Sequence, residues 1–137
     1  MTLAISRSLS VAAGLAVALA AGQALAHHSF AMFDPDKTIT KTGTVKELEW
    51  TNPHVWLHIM APDDAGKVVE WSLEMQAVQQ ATSGGWRSDI VRPGDKISIE
   101  FHPLRDASRG GELLNATLAD GRKLQAQAAR LPVPKAP

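Results

Sequence analysis

Short segments in which apolar and polar side chains alternate decide what this chain can fold into. His54 to Met60 alternates strictly: Val55, Leu57 and Ile59 point one way, and His54, Trp56, His58 and Met60 the other. Val69, Trp71, Leu73 and Met75 form one face of the next such segment, opposite Glu70, Ser72 and Glu74. Ile97, Ile99 and Phe101 form one face of a third, and Leu114, Ala116 and Leu118 one face of a fourth. A period of two is the mark of a strand with one face in a core and one in water. Turn signals separate the segments: Pro62-Asp63-Asp64-Ala65-Gly66, Pro93-Gly94-Asp95 and Asp120-Gly121. We read Asp120-Gly121 as a type I′ hairpin turn leading to a short last strand around Arg122–Gln125.

Two segments depart from this pattern, and both are informative. From Lys37 to Trp50 the apolar parity switches, with Ile39, Gly43 and Val45 on one parity and Leu48 and Trp50 on the other. A switch inside one strand predicts a β-bulge near Lys46–Glu47, and a bulge bends the strand. Gln76 to Thr82 contains good helix formers without a β-period, and Gly84-Gly85 stops it. The order is then three strands, one short helix, two strands and a stub. Alternating strands with a bend in the first close readily into a barrel. The expected fold is mostly β: a small OB-like barrel of five to six strands, with one short helix between strands three and four. A small sandwich or another five- or six-stranded barrel is the alternative.

The chain has 137 residues, which suits one domain. Its first 26 residues stand apart. Arg7 is their one charged side chain, Leu9 to Ala21 is almost all Ala, Val, Leu and Gly, and Ala24-Leu25-Ala26 has the small residues of a cleavage site. This is the plan of a secretory signal peptide. As a membrane anchor the run is too short, since a span takes roughly 20 apolar residues. We therefore expect a signal peptide over 1–26, a barrel domain over 27–125 and a disordered Pro-rich tail over 126–137. The expected compartment is the periplasm, with no membrane span after cleavage. There are no cysteines, so disulfides, zinc ribbons and thiol catalysis are excluded. The 14 basic and 14 acidic side chains balance, so the charge carries no footprint of a nucleic-acid binder.

Several segments together are distinctive: AHHSFAMFD at the export junction, TGTVKELEWTNPHVWLHI, Gly85-Trp86 after the helix, PGDKISIEFHPLRD and TLADGRKL. They resemble a family of small exported bacterial proteins, domain of unknown function 6152, over roughly residues 26 to 125. The resemblance implies an exported protein and brings no activity with it. Where members of that family carry a Leu/Arg-rich stretch before Gly-Trp, this chain has QQATSGG.

Two candidate sites follow from the residues. Cleavage after Ala26 would leave His27 as the first residue, with an α-amine and an imidazole that can close a chelate ring around one metal ion. His28 adds a second imidazole. Nitrogen-rich, tetragonal sites favour Cu(II), and displacing the amine proton weakens such binding in acid. The arrangement resembles a histidine brace, which needs a further histidine supplied by the fold. His54, His58 and His102 are available, and Met32 or Met60 could add a soft ligand. His54 and His58 lie four residues apart on one strand, ~13 Å at the usual rise, so at most one of them can join. The bland alternative is that His27 and His28 are polar residues on an exposed end.

The second candidate is the face carrying Trp56 with Asn52, His54 and His58, where an indole could stack on a sugar or another flat ligand. Here the alternative is a tryptophan that merely covers the barrel. The partner would be a metal ion such as copper, a small ligand, or another periplasmic protein. Glu47, Glu49, Glu70, Glu74 and Glu100 alternate with apolar positions as solvated faces do, so no acid–base pair is expected. Because no catalytic set assembles, a binding module is expected rather than an enzyme.

Overall fold

A computed structural model describes residues 30–126. The chain divides into two units, Met1–Met32 and Phe33–Pro137. Of the first, the described part is the 3-10 turn Phe30–Met32. The expected signal peptide, His27 and His28, and all of the expected tail beyond Ala126 lie outside the described residues.

Among its described residues the second unit holds six strands: β1 (Ile39–Glu49), β2 (Trp56–Pro62), β3 (Val68–Glu74), β4 (Lys96–Pro103), β5 (Gly110–Leu118) and β6 (Lys123–Gln125). One short helix, α1 (Val78–Ser83), lies between β3 and β4. The strands pair in the order β3-β2-β1-β4-β5-β6, and a parallel pairing of β3 with β5 closes the first five into a barrel. Closed pairing with a helix after the third strand is the OB-like architecture expected from the sequence. β6 adds to β5 outside the closed set.

β1 makes closure possible. Its first half pairs with β4, from Ile39↔Phe101 to Thr44↔Lys96. Its second half pairs with β2, from Thr44↔Met60 to Glu49↔Trp56. The register shifts between Val45 and Glu47, as the parity switch predicts. A bulge adds one residue and bends the strand, so a single strand can serve two sides of a barrel. The alternating faces of β2 to β4 fall as expected: Val55, Leu57, Ile59, Leu73, Ile97, Ile99 and Phe101 are buried in the core. On β5 a register shift against β4 puts Leu113 rather than the expected Leu114 in the core, beside Ala116 and Leu118. Trp86, just past the helix, is fully buried with them.

The helix ends in a Schellman arrangement. The Trp86 amide donates to the Ala81 carbonyl (3.1 Å) and the Gly85 amide to the Thr82 carbonyl (3.1 Å), with Gly85 at φ +97°.

Two further details differ from the sequence-based expectation. The turn at Asp120-Gly121 is not type I′, because that type needs positive φ at both central residues and only Gly121 has it (φ 86°). The Leu118 amide donates to Arg122 O (2.9 Å) and the Gly121 amide to Leu118 O (2.9 Å), which marks a three-residue loop ending in a left-handed glycine. β5 starts at Gly110, ahead of the segment whose alternation the sequence shows, because Gly110 and Gly111 pair with Ser72 and Leu73 in the closing seam. Lys41 faces inward across from Ile99. Its ammonium lies 4.4 Å from the centre of the Trp71 ring and donates to Pro62 O (2.9 Å), so the alkyl stem is sheltered while the charge is satisfied.

Candidate functional site

Register decides which polar side chains meet on the outer face of β1–β3. Three cross-strand rows result. Glu49 lies opposite Trp56 and Trp56 opposite Glu74. Glu47 lies opposite His58 and His58 opposite Ser72. Met60 lies opposite Glu70. Directly opposed and diagonal neighbours on one sheet face are within side-chain reach.

His58 is the centre of this face. Its Nε2 lies 3.1 Å from Glu49 Oε1, and its Nδ1 lies 3.0 Å from Ser72 Oγ and 3.2 Å from Glu70 Oε1. A ring that donates at Nε2 to Glu49 can accept the Ser72 hydroxyl proton at Nδ1, whereas a ring that donates at both nitrogens serves both carboxylates. The Trp56 indole lies nearly parallel to this imidazole, with centroids 6.5 Å apart and planes 18° apart. Lys46, at the bulge, hydrogen-bonds Glu70. That bond holds the Glu70 carboxyl below the usual carboxylate range; partial burial opposes it, and the neighbouring charges of Lys46 and His58 add to it. The same bond holds the Lys46 ammonium above the ordinary lysine range.

The remaining histidines lie along a separate row: Glu74, which His54 contacts, is opposite Glu112 on β5, and Glu112 is opposite His102 on β4. His54 Nδ1 lies 3.1 Å from Met75 O and 3.1 Å from Glu74 Oε1. His102 Nδ1 donates to Lys37 O at 2.7 Å, on β4 opposite Glu112. Asn52 does not face Trp56 with its carbonyl; its Oδ1 accepts the Val78 amide (3.1 Å) at the start of α1. Met32 is exposed and Met60 lies on the outer face. Among the described residues no group of three or more His, Asp or Glu is placed to hold a metal ion. At His58 both ring nitrogens face side-chain partners.

Comparison with known protein families yields one match, the Family of unknown function (DUF6152), over residues 15–114. The chain belongs to this family. No curated protein and no solved structure matches it. The DUF6152 match includes β1 to β4, the first half of β5 and the whole Trp56–His58 face, and stops short of β6.

The expectation that the acids stay apart is corrected here. Glu49 and Glu70 converge on His58, and Glu74 is buried rather than solvated, at 8% exposure. The β2–β3 hairpin did carry a readable signal, because a short loop centred on Ala65 already sets His58 opposite Ser72. The β1–β2 register was not readable in this way, since the bulge shifts it by one residue.

Proposed function

We propose that this chain is an exported binding protein that takes its ligand on the outer face of β1–β3. The stacked Trp56–His58 pair, with His58 held from both sides by Glu49, Glu70 and Ser72, carries the proposal. An immobilised imidazole beside a half-buried indole forms a flat platform, and order already present in the free protein need not be created on binding. Carboxylates around the platform accept hydrogen bonds and repel anions. A flat ligand rich in hydroxyl donors, such as a sugar, therefore fits this face. The β2–β3 face is also where OB barrels bind oligosaccharides, an analogy of fold. Export rests on the Ala24-Leu25-Ala26 junction.

The test is titration of the exported protein with a panel of neutral oligosaccharides, followed by tryptophan fluorescence. We expect saturable quenching that weakens at least about tenfold in Trp56→Ala, with unfolding temperature unchanged. No response to any sugar, or equal binding by the variant, rejects this face.

Copper held by His27 and His28 is the second reading, favoured by the small-residue junction that directly precedes them. Mass spectrometry of the exported chain should then show His27 as its first residue. Cu(II) affinity no tighter than that of a short peptide with the same start would exclude this reading.

A further inference from the structure

Two acids stand side by side across the seam that closes the barrel. Glu74 on β3 and Glu112 on β5 are register partners in its parallel ladder, and His102 on β4 is the partner of Glu112 on the other side. Each is the neighbour along its own strand of a core residue, Leu73, Leu113 or Phe101, so all three lie on the outer side of the pleat. Both acids are nevertheless buried, at 8% and 7% exposure. Like charges directly opposite on one sheet face repel, and burial strengthens the repulsion. Glu112 Oε1, moreover, has no hydrogen-bond partner among the described residues. A buried carboxylate oxygen is normally satisfied, so this one marks a place for a partner.

The histidines beside the pair are already oriented. His102 donates through Nδ1 to the Lys37 carbonyl (2.7 Å), which leaves a lone pair on Nε2 of the neutral ring. A bond from the other ring nitrogen to a backbone carbonyl is how metal-ligating histidines are commonly held. His54 Nδ1 lies 3.1 Å from both Met75 O and Glu74 Oε1, and so braces the Glu74 carboxylate from the other end of the row. We infer that this row binds one divalent transition-metal ion, with Glu112 and His102 Nε2 as its first ligands, Glu74 as its third, and His54 positioning Glu74. As placed, the three side chains do not form a closed ligand set. The end torsion of a glutamate is broad, so both carboxylates can turn onto a cation at little cost. Two carboxylates and an imidazole suit zinc, and three protein ligands leave its fourth position open to water or a small ligand. A dication also offsets the two buried negative charges. The row adjoins the platform, because Trp56 is the register partner of Glu74 on β2, but it needs neither Trp56 nor His58.

Calorimetric titration of the full exported chain with Zn(II), after treatment with a chelator, tests this. Zinc should bind and raise the unfolding temperature. Affinity should fall about tenfold or more in Glu112→Gln and in His102→Ala, and change less than about twofold in His58→Ala. Glu112→Gln keeps the shape of the side chain, so without zinc it should unfold no lower than the parent. Ring-nitrogen NMR of the parent needs no substitution: zinc should shift His102 Nε2 while Nδ1 keeps its proton. Equal affinity in the Glu112 and His102 variants would assign the zinc to other histidines and overturn the inference. Absence of binding, loss in His58→Ala alone, or an unshifted His102 ring would overturn it as well.

Discussion

At the scale of single residues, the closest tolerances lie where strands cross. Gly43 sits on the inward parity of β1, next to the point where that strand passes from β4 to β2. A Cβ there would come within 2.1 Å of Met60 O and 2.9 Å of Ala61 Cβ. Neither atom is the end of a flexible side chain, so the β1–β2 pairing itself would have to move. Gly43→Ala should cost about 3 kcal/mol, the upper end for overpacking, and denaturant unfolding would show it as a lower midpoint. An unchanged midpoint would mean that the two strands separate there freely. Two buried polar atoms also stand out among the described residues: Trp86 Nε1 and Glu112 Oε1 have no hydrogen-bond partner. A buried group without a partner costs stability.

At the scale of elements, α1 is too short to hold itself together. Six residues fall well below the length at which an isolated helix is stable in water. Its N-cap, Ala77, offers no side-chain acceptor. Asn52 supplies one instead, from the turn before β2, and bonds the first helical amide. The Schellman end and the burial of Ala81 secure the other side. Asn52→Ala should therefore cost about 1 kcal/mol and speed hydrogen exchange at the first turn of α1. Asn52→Asp should keep most of the stability, because an acceptor remains. Equal exchange in the alanine variant would show that the helix is held by its buried face alone.

At the scale of the whole barrel, stability depends on pH through the Lys46–Glu70 pair that links β1 to β3 across β2. Glu70 is held below its ordinary value in the fold. Its contribution is present above the unfolded carboxyl range and is lost as pH falls through the lowered folded value. Lys46 is held above its ordinary value, so its contribution is present below the unfolded lysine range and is lost as pH rises through the raised folded value. Both contributions are intact across the neutral range between. Lys46→Met should flatten the acid limb of the stability–pH curve measured by thermal unfolding. An acid limb identical to the parent's would show that the pair adds nothing. The pair is exposed, so salt should also weaken its effect.

The sequence by itself determined the strands, the bulge, the helix and its place after β3, because each follows from a local period or a local breaker. Side-chain alternation alone assigned Val55, Leu57 and Ile59 to the core and Trp56 and His58 to the outside. Beyond the β2–β3 hairpin it could not determine which outward side chains meet. Asn52 looked like a companion of Trp56 by position along the chain, yet it caps a helix 26 residues away. Glu49 and Glu70 looked like solvated acids, yet both reach one imidazole. Glu74 and Glu112 stand far apart in sequence and lie side by side across the closing seam. Only the tertiary structure decided these neighbours, because they depend on how far each strand slides against the next. A slide of one residue leaves a strand's own pattern legible while turning its side chains to the opposite face.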